Sequence, residues 1–452
     1  MRTLITGCAI ATVDAQGTEY DHGHVVVEGD RIAAVGPGSA PASLDVDQTV
    51  EASGCLVTPG LVNTHQHLYQ WATRGLAQQE NLFGWLTALY PTWARIDAGI
   101  VADASAAALG WLARTGCTTT TDHHYVFPAR GGDLLAAEIG AARRIGLRFQ
   151  PCRGSMDLGA SRGGLPPDAV VEDRDVALAA TEEAINRFHD PAPGAQVRIS
   201  VAPCSPFSAS RELMVESAEL ARRHGVRLHT HLAETAEEEA FCLETFGCTP
   251  TEYVDSLGWL ADDVWLAHCV HLDDAAVGRL ADTGTAVAHC PTSNARLGSG
   301  IARVADLVAR GVPVGLGVDG AASNEKGSLA AELHAALMVA RLRGGPAALT
   351  ARQALALGTM GGARCLGWDD EIGSVEVGKL ADLAVWRLDG VSHHGLEDPV
   401  AALVLGSRPP LRLLLVGGRA VVDHDVLLTA SERDLAARAG EASRRLSEGG
   451  FR

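Results

Sequence analysis

Four times along the chain a short apolar run, about the length of one strand, ends in histidine or aspartate: Leu61 to His67, Val226 to His231, Val264 to His268 and Val312 to Asp319. Between such runs lie Ala/Leu-rich stretches with helical spacing, among them Ala98 to Arg114, Arg211 to His224, Asp273 to Thr283 and Ser328 to Leu342. Repeated β-then-α units imply a parallel sheet. Roughly eight of them in about 300 residues suit a closed (β/α)8 barrel of the TIM type. The two ends of the chain have another texture. Thr3 to Val13, Gly23 to Gly36, Gly373 to Trp386 and Leu413 to Val422 are β-branched runs punctuated by Gly-Asp and Gly-Gly turns, the pattern of hairpins. We therefore expect an α/β fold: a barrel over 59–367, and a small discontinuous β-sandwich domain built from 1–58 and 368–452, ending in a C-terminal helix. Gly159 to Asp168 (GASRGGLPPD) is expected as a long flexible loop.

Composition narrows the partners. The 37 Lys and Arg against 55 Asp and Glu give a net charge of -18, which repels phosphate backbones and anionic membrane surfaces. No window has the roughly 18 apolar residues of a membrane span. None of the 10 cysteines falls in a C-x-x-C pair, and the apolar run before Cys8 is too short for a signal h-region. The expectation is a cytoplasmic protein with reduced thiols and a small-molecule substrate, without nucleic acid or membrane partners. Whether it forms a homo-oligomer stays open, since the helices Glu332 to Arg343 and Ser431 to Leu446 suit an interface or a solvated surface equally.

The chemistry concentrates where the apolar runs end. His65 and His67 are two residues apart on a strand and so point to one face, able to grip one metal ion. An H-x-H pair alone is weak evidence; the second cluster, His229-Thr230-His231-Leu232-Ala233-Glu234, strengthens it. Of its histidines, His231 is nearer the strand end and Glu234, while His229 lies one layer deeper, where a hydrogen-bonded supporting role fits better. His268 is favoured over His271 in the third run, and Asp319 emerges from the fourth. In barrels the C-terminal strand ends are where catalytic groups converge. Glu234 has an alternative as the cap or first-turn charge of a helix from Glu234 to Cys242.

With PGLVNTHQH, HTHLAE, LAHCVHL, AHCPTSN, VDGAASN and the terminal GSVEVGKLADLAVW in this order, the chain resembles the amidohydrolase superfamily, in its mononuclear aminohydrolase branch, over almost its whole length. The resemblance implies that His65, His67, His231 and Asp319 are the metal ligands, with Glu234, His268 and Asp319 as the catalytic, proton-handling groups; His289 matches too, in a role that varies. Binuclear relatives carry a carboxylated lysine on a middle barrel strand, whereas the lysines here are Lys326 and Lys379, outside any such strand, so one divalent ion is favoured. Zinc is the first expectation and iron(II) the alternative.

The segments HLYQ, TDHHYVFP and CRGSM followed by GGLPPD are similar to the subgroup of 8-oxoguanine deaminases and of hydroxy- and chloro-triazine hydrolases. This implies a hydrolytic deaminase of an amino-substituted heterocycle, with 8-oxoguanine going to urate and ammonia as the leading assignment. Guanine, a pterin or an aminotriazine as substrate, or a triazine hydrolase releasing chloride or an alkylamine, are the alternatives. A noncatalytic barrel holding a structural metal is the reading from another class. Gln70, His123 and Arg153 are the expected substrate-binding residues, while packing alone explains Tyr69 and Trp71 equally well.

Overall fold

In the computed structural model, which describes residues 1–448, eight parallel strands close into a barrel. In order they are Leu61–Asn63, Cys117–His124, Arg148–Ser155, Ser200–Pro203, Leu228–Leu232, Val264–His268, Ala286–His289 and Val314–Leu316, and Leu316 pairs with Asn63 to close the ring. Trp265 fills the interior among small neighbours, Ala202, Ala286 and Ala288, with Val62 and Cys152. The outward-facing residues, such as Val201, Leu228, Leu266 and Leu316, pack on the apolar stripes of the surrounding helices, through Leu109, Leu213, Leu280 and Leu333.

Those helices start and stop on local signals. Asp97, Asp133, Ser210 and Asp273 each accept an N–H from the residue three positions on. This satisfies donors that an α-helix leaves free at its N-terminus. Gly146 and Gly225 end two helices in the left-handed conformation, at φ 91° and 65°. The helices Ala98–Arg114 and Arg211–His224 have the expected bounds, and Leu329–Gly344 extends two residues past its predicted end.

Both ends of the chain meet in one nine-stranded sheet. Strand Leu383–Arg387 pairs antiparallel with Cys55–Pro59, which makes this unit discontinuous in sequence. Residues of its N-terminal arm, Val25, Val27 and Ile32, share a core with Leu413 and Leu415 of the C-terminal arm, so the sheet curls over its own apolar face.

Two expectations need correction. The C-terminal helix Glu432–Ser447, grouped by sequence with the small domain, lies against the barrel helix Ala98–Arg114: Arg114 pairs with Glu432, Arg445 with Asp97, and Ser443 Oγ donates to the Ala72 carbonyl at 2.8 Å. The last part of the segment 368–452, residues 449–452, falls outside the described residues. The Gly159 to Asp168 segment is folded back on itself. Ala160 N–H donates to the Pro166 carbonyl at 2.8 Å, Ser161 N–H to Asp168 Oδ1 at 3.1 Å, and Leu165 N–H to the Phe207 carbonyl at 3.3 Å. Among the described residues no helix is long and apolar enough to cross a membrane.

Barrel and sheet are locked by a buried ion pair. Arg148 Nε donates to Asp382 Oδ2 at 2.7 Å, and Nη1 donates to the Gly194 carbonyl at 2.8 Å. Asp382 Oδ1 also accepts the Gly417 N–H at 2.6 Å. Removing one partner of such a pair leaves an uncompensated charge. Asp382→Ala is expected to cost about 3–5 kcal/mol in urea unfolding. A loss as small as that for Arg174→Ala, whose pair with Asp175 is exposed, would mean that the two layers do not depend on this pair.

Candidate metal centre and active site

Each of the three candidate histidine ligands has one ring nitrogen committed to a fixed acceptor. His67 Nδ1 is 2.7 Å from the His123 carbonyl oxygen and His231 Nδ1 is 2.6 Å from the Cys204 carbonyl oxygen. A carbonyl only accepts, so in both rings Nδ1 carries the hydrogen and Nε2 carries the lone pair. His65 reaches the same state in two steps. His229 Nδ1 donates to the Trp265 carbonyl at 2.7 Å, which leaves His229 Nε2 to accept from His65 Nδ1 at 2.8 Å. His229 is held in register by stacking on the Trp265 ring, centroids 4.4 Å apart. It is the deeper, supporting histidine that the strand register predicts.

The three Nε2 atoms converge. His231 Nε2 lies 3.2 Å from His67 Nε2, and Asp319 Oδ1 lies 3.3 Å from His67 Nε2 and 3.5 Å from His65 Nε2. His65 Nε2 is buried without a protein partner. Ligand atoms about 2.0–2.2 Å from one cation stand roughly 3–3.5 Å from their neighbours, so the observed spacings would suit a single small divalent ion. Lone pairs facing one another repel unless a cation sits between them. Burial, and then the neighbouring imidazoles, push His65 and His231 well below the usual histidine range, which keeps both neutral and able to ligate. Burial alone would raise Asp319, but the surrounding imidazoles and the hydrogen bond from Ser293 hold it below the usual carboxylate range.

Strand ends aim these groups through local strain. Ala233, His268 and Asp319 take φ of 50°, 70° and 61°, a region that non-glycine residues rarely visit and that clusters at functional sites. Asp319 is further gripped by Ser293 Oγ, which donates to Oδ2 at 2.5 Å, and by Ser323 Oγ at 3.2 Å. His268 Nδ1 donates to Asn294 Oδ1 at 2.9 Å, and its Nε2 faces Glu234 Oε2 at 3.6 Å and Asp319 Oδ2 at 4.0 Å. Glu234 is not a helix cap. Thr235 caps the helix Ala236–Phe246, while Glu238 in its first turn reaches back to accept the N–H groups of Ala233 and Glu234, at 2.9 and 2.8 Å. That grip turns the Glu234 side chain into the barrel mouth. Burial first, then the charges of Asp319 and Glu238, push the Glu234 carboxyl well above its usual range.

Over these groups lies a narrow cavity of about 30 Å³. Its walls are Leu82, Trp85, Leu86 and Tyr90 from the helix Leu82–Trp93, Tyr125 after the second barrel strand, Cys204, Ser205 and Phe207 after the fourth, and Leu297; its floor is His67, His231, Glu234, His268 and Asp319. None of these lining residues is Lys or Arg. The wall helix is tied to the rim by Asn81 Nδ2, which donates to Glu237 at 2.8 Å, and by Trp85 Nε1, which donates to the Ala322 carbonyl at 3.3 Å.

The structure thus brings together His65, His67, His231, Glu234, His268 and Asp319. It does not bring the three expected substrate-binding residues to the cavity wall. Arg153 alternates with the interior residue Cys152 and points outward, where its guanidinium makes two 2.7 Å bonds to Glu172 and stacks over Phe127; the expectation for Arg153 is therefore corrected. His123 lies beneath the ligands, stacked on His231 at 4.7 Å, with Nε2 donating to the Ala202 carbonyl at 2.9 Å, so it too is withdrawn as a wall residue. Gln70 lies beside Gly320, where a Cβ would come within 1.8 Å of its amide oxygen, and both of its amide atoms are buried without a partner. Tyr69 packs edge-on against Trp93, 5.5 Å between centroids. His271 donates to the Ser299 carbonyl at 2.8 Å in a loop, and His289, pushed down to about 3 by burial and His268, has no partner on either nitrogen. Glu238, Ser293, Ser323 and the aromatic wall were not anticipated, although Thr235-x-x-Glu238 is a capping-box pattern visible in the sequence.

His229→Phe tests the relay, since it keeps a stacked ring but removes the acceptor for His65. Metal affinity, measured by chelator competition, is expected to fall about 10–100-fold with the fold intact. Unchanged affinity would mean that His65 is oriented by something else.

A family model described as the amidohydrolase family matches residues 56–421. The chain is 45% identical over 411 residues to an 8-oxoguanine deaminase of Pseudomonas aeruginosa, covering 90% of this chain and 91% of that protein. It is 37% identical over 473 residues to an isoxanthopterin deaminase of an unknown prokaryotic organism, covering 99% and 97%. Its fold matches the crystal structure of an atrazine chlorohydrolase from Arthrobacter aurescens TC1 complexed with zinc, with a TM-score of 0.93 at 32% identity over 98% of this chain and 100% of that one.

Proposed function

This chain belongs to the amidohydrolase family, and we propose that it is a metal-dependent deaminase that converts 8-oxoguanine and water to urate and ammonia. The observation that carries this reading is Glu234, a buried carboxyl that burial, Asp319 and Glu238 push upward, set 3.6 Å from His268 in a cavity walled by aromatic rings. A planar heterocycle suits such walls. A phosphate or carboxylate on the substrate would find no Lys or Arg among the lining residues, which favours a free base over a nucleotide. The choice of base rests on the 45% identity to a protein named for 8-oxoguanine.

His65, His67, His231 and Asp319 are assigned as the ligands of one divalent ion, zinc on the precedent of the zinc-bound neighbour, with iron(II) as the alternative. Such an ion, when bound, lowers the pKa of its water from about 15.7 to roughly 7. Asp319, steadied by Ser293 and Ser323, takes a proton from the attacking water. Glu234 donates its own proton to the ring nitrogen beside the amino-bearing carbon, so that negative charge does not accumulate there as the carbon becomes tetrahedral. His268, fixed by Asn294, orients the nucleophile between the two carboxyl groups. The proton on Asp319 passes to the exocyclic nitrogen and the C–N bond breaks to release ammonia. As the lactam carbonyl forms, the new hydroxyl returns a proton to Glu234.

Ammonia release across oxidised purines, pterins and aminotriazines is the direct test, with the highest kcat/KM expected for 8-oxoguanine; a higher value for a pterin, or release of chloride or an alkylamine from a triazine, would reassign the substrate. Glu234→Gln should keep its metal and lose at least about 100-fold in kcat. Only protonated Glu234 donates, so kcat/KM is expected to fall as pH rises through its raised pKa. Full turnover by the Gln variant or by thoroughly demetallated protein would overturn the mechanism.

A further inference from the structure

Three ionisable side chains that the mechanism does not use are shut away behind the metal centre. Asp122, His124 and Glu138 have no solvent exposure. His123 faces the barrel interior, so its neighbours Asp122 and His124 face outward, against the helix Leu134–Ile145 that supplies Glu138. Asp122 Oδ1 accepts the Leu68 N–H at 2.5 Å. Glu138 Oε1 lies 2.5 Å from His124 Nδ1, and His124 Nε2 lies 2.9 Å from the Val126 carbonyl oxygen. The other two carboxyl oxygens, Asp122 Oδ2 and Glu138 Oε2, are buried with no N–H or hydroxyl donor, and the ligand atoms of the three side chains lie within 4.8 Å of one another.

The positions of the hydrogens follow from which groups can only accept. The Val126 carbonyl requires a hydrogen on His124 Nε2. Burial pushes His124 down to about 4, and pushes Glu138, and with its neighbour's charge Asp122, well above the usual carboxylate range. The hydrogen between His124 and Glu138 therefore belongs to Glu138, whose hydroxyl donates to Nδ1. A second hydrogen, on Asp122, joins its carboxyl to that of Glu138. Every group is then satisfied and the cluster carries no net charge, which is the state that costs least with no water nearby.

We propose that Asp122, Glu138 and His124 form an uncharged clamp of directed hydrogen bonds that positions the metal-ligand loop, gripping Leu68 directly after His67 at one end and Val126, beside the cavity residue Tyr125, at the other. The role rests on His67 being a metal ligand. These are positioning residues: they touch neither the ion nor the substrate, and they fix where His67 and Tyr125 stand.

Because the clamp works through hydrogens and not charges, amides can replace both carboxyls. In Asp122→Asn with Glu138→Gln, the Asn amide donates to the Gln oxygen and the Gln amide donates to His124 Nδ1. Zinc affinity by chelator competition, zinc content, kcat and the melting temperature of the zinc-free protein would be measured on the wild type, on this double variant and on Asp122→Ala. The double variant is expected to stay within about threefold of wild-type affinity, and Asp122→Ala to lose about tenfold or more while still folding. A double variant as weak as Asp122→Ala would mean that the charges matter and overturn the clamp, as would an Asp122→Ala that binds zinc normally. Two zinc ions per wild-type chain, one of them lost in the double variant, would make the cluster a metal site instead. A wild-type chain that takes up no zinc at all would overturn the metal reading itself, which the other outcomes leave standing.

Discussion

The active centre depends on which nitrogen of each imidazole carries a hydrogen. Two backbone carbonyls and a buried relay through His229 assign His65, His67 and His231 the same tautomer, and so turn three lone pairs and one carboxylate toward a common point. An imidazole free to choose would place its hydrogen toward its neighbours and lose the binding geometry. The acceptors belong to strand ends and cannot move without the barrel moving. The arrangement is thus built before any ion arrives, and the repulsion of facing lone pairs is borne by the stability of the barrel.

Around that point the backbone leaves its comfortable conformations where function requires it. His268 and Asp319, both left-handed, are the residues whose side chains must leave the strand direction and turn over the barrel mouth. The cost is met by neighbours that over-determine the position: Asn294 for His268, the two serines for Asp319, and Glu238 for the turn that carries Glu234. Two carboxyls at the barrel mouth, Glu234 and Asp319, are pushed in opposite directions for a local reason. Asp319 sits among imidazoles and hydroxyl donors that favour its anion, whereas Glu234 has burial and two other carboxyls against it.

Much of this was legible in the chain because it follows from short-range rules. Period-two alternation puts His65 with His67 and His229 with His231, and distance from the strand end ranks His231 over His229. The same alternation puts Arg153 on the face opposite Cys152, and His123 on the face opposite Asp122 and His124, but it does not say which face is the interior. What local rules could not supply is contact between distant segments. The cavity walls come from a helix beginning at Leu82 whose sequence shows only that it is apolar, and Ser293 meets Asp319 across 26 positions. The C-terminal helix was misgrouped for a similar reason, since its docking surface lies more than 300 residues earlier in the chain.

The wall helix Leu82–Trp93 supplies Leu82, Trp85, Leu86 and Tyr90 to the cavity but none of the groups that hold a metal or move a proton. It enters between the first barrel strand and the first barrel helix, as an excursion from the repeating β-then-α pattern. Selection can therefore rewrite this one stretch and change what the enzyme accepts, while the bond-breaking apparatus below is inherited untouched. A lineage built this way can drift from one ring system to another without passing through a dead ancestor.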